Sequence, residues 1–493
     1  MLFIESKILN YAVEGAERIG LLDALQGRGL SPSIRSMRRN YYESMLPVPE
    51  GDAGEQRLNE MERAIAAWTE TEMKCLYVQG DLFYFDDYVL FLIFESASGG
   101  RDGMRAGIIY ETETTEPLRR LDSFCQEVAD ALDFMRKGDR PGGRDGEMEL
   151  PEWQRSRPLS PTGFARFVAK QDIDTLSTIL RRETAVERIH AAELLEDENT
   201  RLFIRRAREA QIEGFAGKLL VGRKNEGSKF STGKLIESGL LRREVSVSCR
   251  QTGHTMFNLP SPDALAVVTV SKATCSECGE LVANEKVEEA LVPTALAAAL
   301  LQDGSWLVNR LYSIIRRLGV PESEIAVGPV SGYGESHMMA NVCGEPFLFV
   351  LRDGDLTPAF ARRAIDLTLE MDAPHLFVVA TGTIHNEGRI RLLDFSRLRV
   401  SGGKEFGVSI VEGAGTMAVE LGHAFERVSQ KAIAEQLCEL DASLGLNIGH
   451  LIVTRFQLMR QRGLIRTFPK SSAVAPPARN RHNITSAQPL ISL

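Results

Sequence analysis

Residues 245–285 read VSVSCRQTGHTMFNLPSPDALAVVTVSKATCSECGELVANE, and the rest of the chain is best understood from this stretch. Cys275 and Cys278 form a C-x2-C pair closed by Gly279. Cys249 and His254 form a C-x4-H pair, and twenty residues separate the two pairs. Two short ligand pairs joined by a spacer of about this length make the pattern of a zinc ribbon, in which four side chains hold a structural Zn2+. The glycine suits a knuckle turn because it takes positive φ without a Cβ penalty. The segment is polar and turn-rich, poor material for an apolar core around free thiols. The sequence therefore predicts Cys249, His254, Cys275 and Cys278 as metal ligands in a ribbon over residues 245–290. The apolar run 264–270 is expected to be its middle strand, and a helix is expected from about Glu285.

Upstream of the ribbon, residues 160–248 read as helices that lead into a winged helix. Helical segments are expected over 173–182, 184–195, 199–213 and 231–238, with a strand after Leu241. Residues 201–250 carry twelve Lys/Arg against five Asp/Glu, a local balance of +7 inside a chain of net charge -9. A basic face of this kind is the electrostatic footprint of phosphate contact, whereas the bulk charge is not. The candidates are Arg223, Lys224, Lys229 and Lys234, with Arg242 and Arg243 at the wing and Ser228, Ser231 and Thr232 as neutral helpers. The competing reading is a solvated helical face or a protein-binding wing.

A chain of 493 residues exceeds one ordinary core, so several domains are expected. Seven scattered cysteines make no disulfide framework and fit a reducing cytoplasm. No apolar run approaches the roughly 18 residues of a membrane span. The N-terminus lacks the basic region and cleavage site of a signal peptide. Residues 1–137 read as a small α+β domain: a helix over 3–27, a second over 55–71, strands over 74–80, 82–85, 88–94 and 107–111, and a helix over 116–134. Asp81, Asp86, Asp87 and Glu95 read as a solvated hairpin rim rather than an acidic site. Residues 138–159 are Gly, Pro and charge without period and read as a linker, and residues 464–493 as a disordered tail.

After the ribbon, residues 291–463 alternate helix and strand. Strands are expected over 325–330, 337–342, 346–352, 375–381 and 390–395, with a helix over 357–371. Residues 340–370, ANVCGEPFLFVLRDGDLTPAFARRAIDLTLE, resemble the core of the restriction-endonuclease-like, PD-(D/E)xK, superfamily. That resemblance implies an αβββαβ fold. It also implies an acid on the second strand and an E-x-K on the third, which hold a divalent metal for phosphodiester cleavage. Here Asn341 stands at the acid, Val350 at the glutamate and Arg352 at the lysine. An amide is a weak ligand for Mg2+ and valine is none, while arginine cannot serve as a base.

The expectation is thus an α/β multidomain, zinc-containing DNA-binding protein with a disarmed nuclease-like domain, working with other protein subunits, and the resemblance implies a place in bacterial genome defence. A homodimer face and a cytoplasmic location belong to the same reading. Two alternatives stand beside it. One is an active Mg2+-dependent nuclease with relocated acids, Glu335 and Asp353. The other is a protein-interaction scaffold that binds no nucleic acid.

Overall fold

The computed structural model describes residues 1–467, apart from 46–50, 74–76, 96–102, 139–150, 156–161, 171–185, 213–231, 261, 303, 330–333 and 404. The chain is a mixed α/β multidomain fold with three sheets.

The first sheet is antiparallel, in the order β2-β3-β4-β1-β5. Its strands are β1 (Leu2–Leu9), β2 (Gly80–Tyr84), β3 (Tyr88–Glu95), β4 (Gly103–Glu111) and the short β5 (Gln154–Arg155). Between β1 and β2 lie α1 (Gly15–Gly27), α2 (Ser33–Met45) and α3 (Asp52–Trp68), the last continued by a π-turn over Thr69–Met73. Helix α4 (Pro117–Gly138) follows β4. Both faces of β3 are apolar. Leu90, Leu92 and Phe94 pack under α1 and α4, while Val89, Phe91 and Ile93 belong to the core on the other side. Alternation therefore cannot mark an inside and an outside, and the strand reads as a continuous apolar run. Gly107 lies opposite Phe91 across β3 and β4, and any Cβ there would overlap the Phe91 ring.

Helices α5 (Thr162–Ala169), α6 (Val186–Leu194), α7 (Glu198–Ile212) and α8 (Thr232–Glu237) lead to the second sheet, β7-β6-β8. Its strands are β6 (Leu241–Ser248), β7 (Thr255–Leu259) and β8 (Lys286–Pro293), with α9 (Pro262–Val270) between β7 and β8. Helices α10 (Ala295–Gln302) and α11 (Ser305–Arg317) precede the third sheet, β13-β12-β11-β10-β9. It comprises β9 (Ile325–Val327), β10 (Glu335–Val342), β11 (Glu345–Arg352), β12 (His375–Ala380) and β13 (Gly407–Glu412). The first three are antiparallel, and β11, β12 and β13 run parallel. The hairpin β10–β11 turns on Cys343 and Gly344, at φ 51° and 86°, the two positive values of a tight type I′ turn. Helices α12 (Pro358–Met371) and α13 (Asn386–Ser401) cover one face of this sheet.

Helix α14 (Met417–Leu444) joins the sheets. Its first half buries Met417, Leu421, Phe425 and Val428 on the other face of the third sheet. Its second half, with α15 (Ile448–Thr467), buries Ile433, Leu437, Leu440, Ile452 and Phe456 under the first sheet. The C-terminal helices thus cap two sheets, the third and the N-terminal first. No described helix is long and apolar enough to cross a membrane.

Several sequence expectations are corrected. The expected helix over 3–27 is β1 followed by α1, because Leu2–Leu9 is drawn between β4 and β5. Residues 33–45, for which the sequence predicts no element, form α2. Of the expected strand over 74–80, residues 77–79 form none and 74–76 lie outside the described residues. The linker is not structureless throughout, since Gln154 and Arg155 pair with Ile8 and Lys7 and Trp153 packs on the core below. Residues 264–270 lie in α9, which opens on Pro262, a residue suited to the first turn of a helix, and β6 is the middle strand. No helix starts at Glu285; β8 follows and pairs with β6 along its whole length. Residues 390–395 lie inside α13, where only Gly388 and Leu392 are buried. The helix expected over 173–182 lies outside the described residues, as does the tail beyond Thr467.

Because α14 is shared, Ile433→Ala is expected to cost about 2–5 kcal/mol. Urea unfolding followed separately at Trp153 in the first core and Trp306 in the main core should shift by the same amount. A shift confined to Trp153 would show that the sheets unfold independently.

Candidate metal centre and the acids of the third sheet

Strand β6 ends at Ser248, and the chain reverses over Cys249-Arg250-Gln251-Thr252-Gly253 before entering β7. After α9 it reverses again over Cys275-Ser276-Glu277-Cys278-Gly279. The two turns share one construction. Gly253 N–H donates to Cys249 O at 2.8 Å, and Gly279 N–H to Cys275 O at 2.9 Å. Cys249 N–H donates to His254 O, and Cys275 N–H to Glu280 O, each at 2.8 Å. Gly253 and Gly279 sit at φ 73° and 75°. These are two copies of one knuckle, and Thr252 occupies in the first the place that Cys278 occupies in the second.

The knuckles bring Cys249, Cys275 and Cys278 together, and Glu285 completes the group, with the ligand atoms all within 4.8 Å of one another. Cys249, Cys275 and Glu285 are 1%, 2% and 3% exposed. Cys249 Sγ and Cys278 Sγ are 3.6 Å apart, and Cys278 Sγ lies 3.1 Å from Glu285 Oε1. The other carboxylate oxygen, Oε2, accepts from Arg250 N–H at 2.6 Å, which fixes the carboxylate and turns Oε1 toward the sulfurs. That same N–H is the main influence holding the Glu285 carboxyl below its usual range. The Thr252 hydroxyl does likewise for Cys249. Cys278 is pushed up to about 12: a backbone N–H at Glu280 opposes this, but the Glu285 carboxylate and the neighbouring sulfurs favour the protonated thiol.

Such a group of three thiols and a carboxylate can hold a metal ion. His254 is not part of it. It stands one residue beyond the knuckle glycine, where its carbonyl closes the turn and its side chain is exposed. Glu285 supplies the fourth donor, and C-x4-H spacing gives no hint of it. The signal was nevertheless present: C-x2-T-G beside C-x2-C-G marks one knuckle as lacking a thiol, so a fourth ligand must come from elsewhere.

Of the proposed phosphate contacts, Arg223, Lys224 and Lys229 lie outside the described residues, together with Ser228 and Ser231. Lys234 is exposed on α8. Arg242 and Arg243 are exposed on β6, Arg242 pairing with Glu244 at 2.5 Å. Other arginines of the basic segment face inward: Arg201 stacks on Trp306 and Arg205 pairs with Asp353.

On the third sheet, Glu335, Asn341, Val350 and Arg352 fall on the face toward α12, by the period of two along β10 and β11. Val350 is fully buried beneath that helix. Asn341 donates to Glu324 at 2.8 Å. Glu335, 1% exposed, lies opposite Arg352 in register and accepts from it at 3.1 Å. Arg363 of α12 donates to both Glu335 oxygens, its Nε at 3.1 Å from each. Asp353 accepts from Arg205 Nη2 at 2.6 Å, Trp306 Nε1 at 2.7 Å and Thr381 Oγ1 at 2.6 Å. Glu345 pairs with His375 and Lys431. Each of these acids is engaged by a base or donor. Among the described residues, the thiol cluster is the only gathering of three or more metal-ligating side chains. Of the expected hairpin rim, Asp81 is the exception: it is fully buried and accepts the Ile34 and Arg35 N–H groups at the start of α2, whereas Asp86 and Asp87 lie in the turn between β2 and β3, Asp86 exposed.

The chain matches no protein-family model, no curated protein and no solved structure.

Metal analysis with cobalt as a spectroscopic probe tests the ligand set. Cys275→Ser is expected to lose the ion, and Glu285→Gln to weaken it about tenfold or more. His254→Ala should leave affinity unchanged. Thr252→Cys should raise the sulfur-to-cobalt band by about one third, as a fourth thiolate replaces the carboxylate.

Proposed function

We propose that the chain is a zinc-stabilised, non-catalytic nucleic-acid-binding protein whose third sheet is a nuclease-like platform without its metal acids. The observation that carries this reading is Glu335, among the described residues the one buried carboxylate on the face toward α12, gripped by Arg352 and Arg363. A carboxylate already engaged by two guanidinium groups is poorly placed to hold a divalent cation as well, which favours binding over metal-dependent cleavage. The succession α11-β9-β10-β11-α12-β12, with an antiparallel hairpin and a parallel final strand, is the order that the αβββαβ resemblance implies.

Zinc is the ion that best suits the thiol cluster. Tetrahedral bonds of about 2.3 Å put neighbouring sulfurs roughly 3.8 Å apart, close to the 3.6 Å between Cys249 and Cys278. Four protein donors leave no open position, so the ion is structural and ties the two knuckles together at the end of β6. Lys234, Arg242 and Arg243 lie on the α8–β6 unit that the ion steadies. Their exposure supports a phosphate-contacting role in that unit. Partner subunits and a cytoplasmic setting remain part of the same proposal.

The test is one gel carrying labelled duplex DNA and RNA, with and without Mn2+. Salt-sensitive retention without cleavage is expected. Replacing Arg242 and Arg243 by Glu should lower the logarithmic salt slope by about two. Mn2+-dependent cutting that is lost in Glu335→Ala would establish the active nuclease instead, and no retention of either nucleic acid would establish the scaffold.

A further inference from the structure

A cavity of about 530 Å³ opens between α2, the segment leading into β2 and the C-terminal end of α14. That volume lies within the roughly 300–1,000 Å³ of small-molecule sites. Three tyrosines, Tyr41, Tyr42 and Tyr77, contribute to its walls. The Tyr42 and Tyr77 hydroxyls hydrogen-bond each other, so the rings, rather than the hydroxyls, are left to meet a ligand. The Arg38 guanidinium stacks over the Tyr77 ring at 4.7 Å.

The polar part of the lining is unusual. Gln79 Oε1, Ser443 Oγ and Arg38 Nε and Nη2 are buried with no hydrogen-bond partner. Arg38 Nη2 has only an ionic contact to Glu62 at 3.7 Å, too long for a hydrogen bond. Burying such groups unpaired costs about 1–3 kcal/mol each, and all three residues belong to the lining of this one cavity. The unpaired atoms are themselves covered, so a ligand among the three aromatic rings would meet the amide oxygen, the hydroxyl and the guanidinium by a turn of these side chains.

We propose that this cavity binds a nucleobase, the flat heteroaromatic whose edge alternates donors and acceptors and whose faces stack on tyrosine. A bare anion fits less well, because it would leave the tyrosine rings and the Gln79 amide oxygen unused. A sugar fits less well, because the tyrosine-rich wall leaves most hydroxyls unpaired. The inference is independent of the zinc centre and of strand binding at α8–β6, which the gel assay tests separately. A free nucleoside and a base within a strand share this chemistry, and the experiment separates them.

Isothermal titration of the full chain with adenosine, guanosine, cytidine and uridine, with inorganic phosphate as control, is the direct test. At least one nucleoside should saturate with a Kd of about 0.1–1 mM, and phosphate should not bind. Tyr41 is 61% exposed, so Tyr41→Ala removes a stacking face without threatening the core. It should weaken the nucleoside about five- to tenfold. Gln79→Leu should weaken it about tenfold and alter which base is preferred, with the thermal midpoint serving as the fold control. Displacement of bound nucleoside by a short single-stranded oligonucleotide would assign the cavity to a base within a strand, and failure to displace it would assign the cavity to the free nucleoside. The proposal is overturned if no nucleoside saturates by about 5 mM, or if both variants bind as tightly as the unaltered chain.

Discussion

One helix decides how this chain holds together. At 28 residues, α14 is roughly 42 Å long at 1.5 Å per residue, enough to lie along two sheets in turn. Its first half packs Phe425 against Phe347, with ring centroids 4.9 Å apart, and its second half seats Ile433 and Leu437 under the first sheet. Between the halves the buried Ser429 hydroxyl donates to Leu2 O at 2.6 Å, pinning the first strand to the helix. Arg105 of β4 donates to Gln436 O, and Arg460 of α15 reaches Glu111. Each half of the helix meets a sheet face that would otherwise expose large aliphatic and aromatic side chains, which sets the positions of the two sheets.

Charge is placed by the same economy. The basic segment before the ribbon looks from composition like a surface, yet Arg201 and Arg205 are spent on Trp306 and Asp353. Asp353 thereby ties α7, α11 and β12 to the end of β11. Removing one partner from such a buried arrangement costs more than the pair contributes, because the remaining charge is left without compensation. The acids at the third sheet therefore serve as fasteners between elements.

How much of this was legible depended on what each segment packs against. The third sheet was readable because 346–352 and 375–381 are apolar runs of strand length, and α12 opens with the helix-start sequence Thr357-Pro358. Thr357 does accept from Phe360 N–H. Residues 264–270 and 390–395 misled because short apolar runs fit either strand or helix. Both became helices with exposed apolar side chains, Val267 and Val270 in one, Ile390 and Leu398 in the other. Residues 2–9 misled for the opposite reason, since their strand exists only through pairing with Gly103–Glu111, about a hundred residues on. The two cysteine turns were legible, but Glu285 was not, because a carboxylate in a short helical turn carries no spacing signature.

The division of the first sheet between the two ends of the sequence also governs the order in which the molecule can be made. Strands β1 to β4 are complete once residue 111 has been synthesised, but the helices that cover Leu82, Phe91, Ile93 and Ile109 begin only at residue 417. At about 5–20 residues per second, that face stays uncovered for roughly 15–60 seconds. During translation the nascent chain carries a broad apolar surface that its own emerging segments cannot yet shield. This makes the growing polypeptide, more than the finished protein, the form that depends on chaperones.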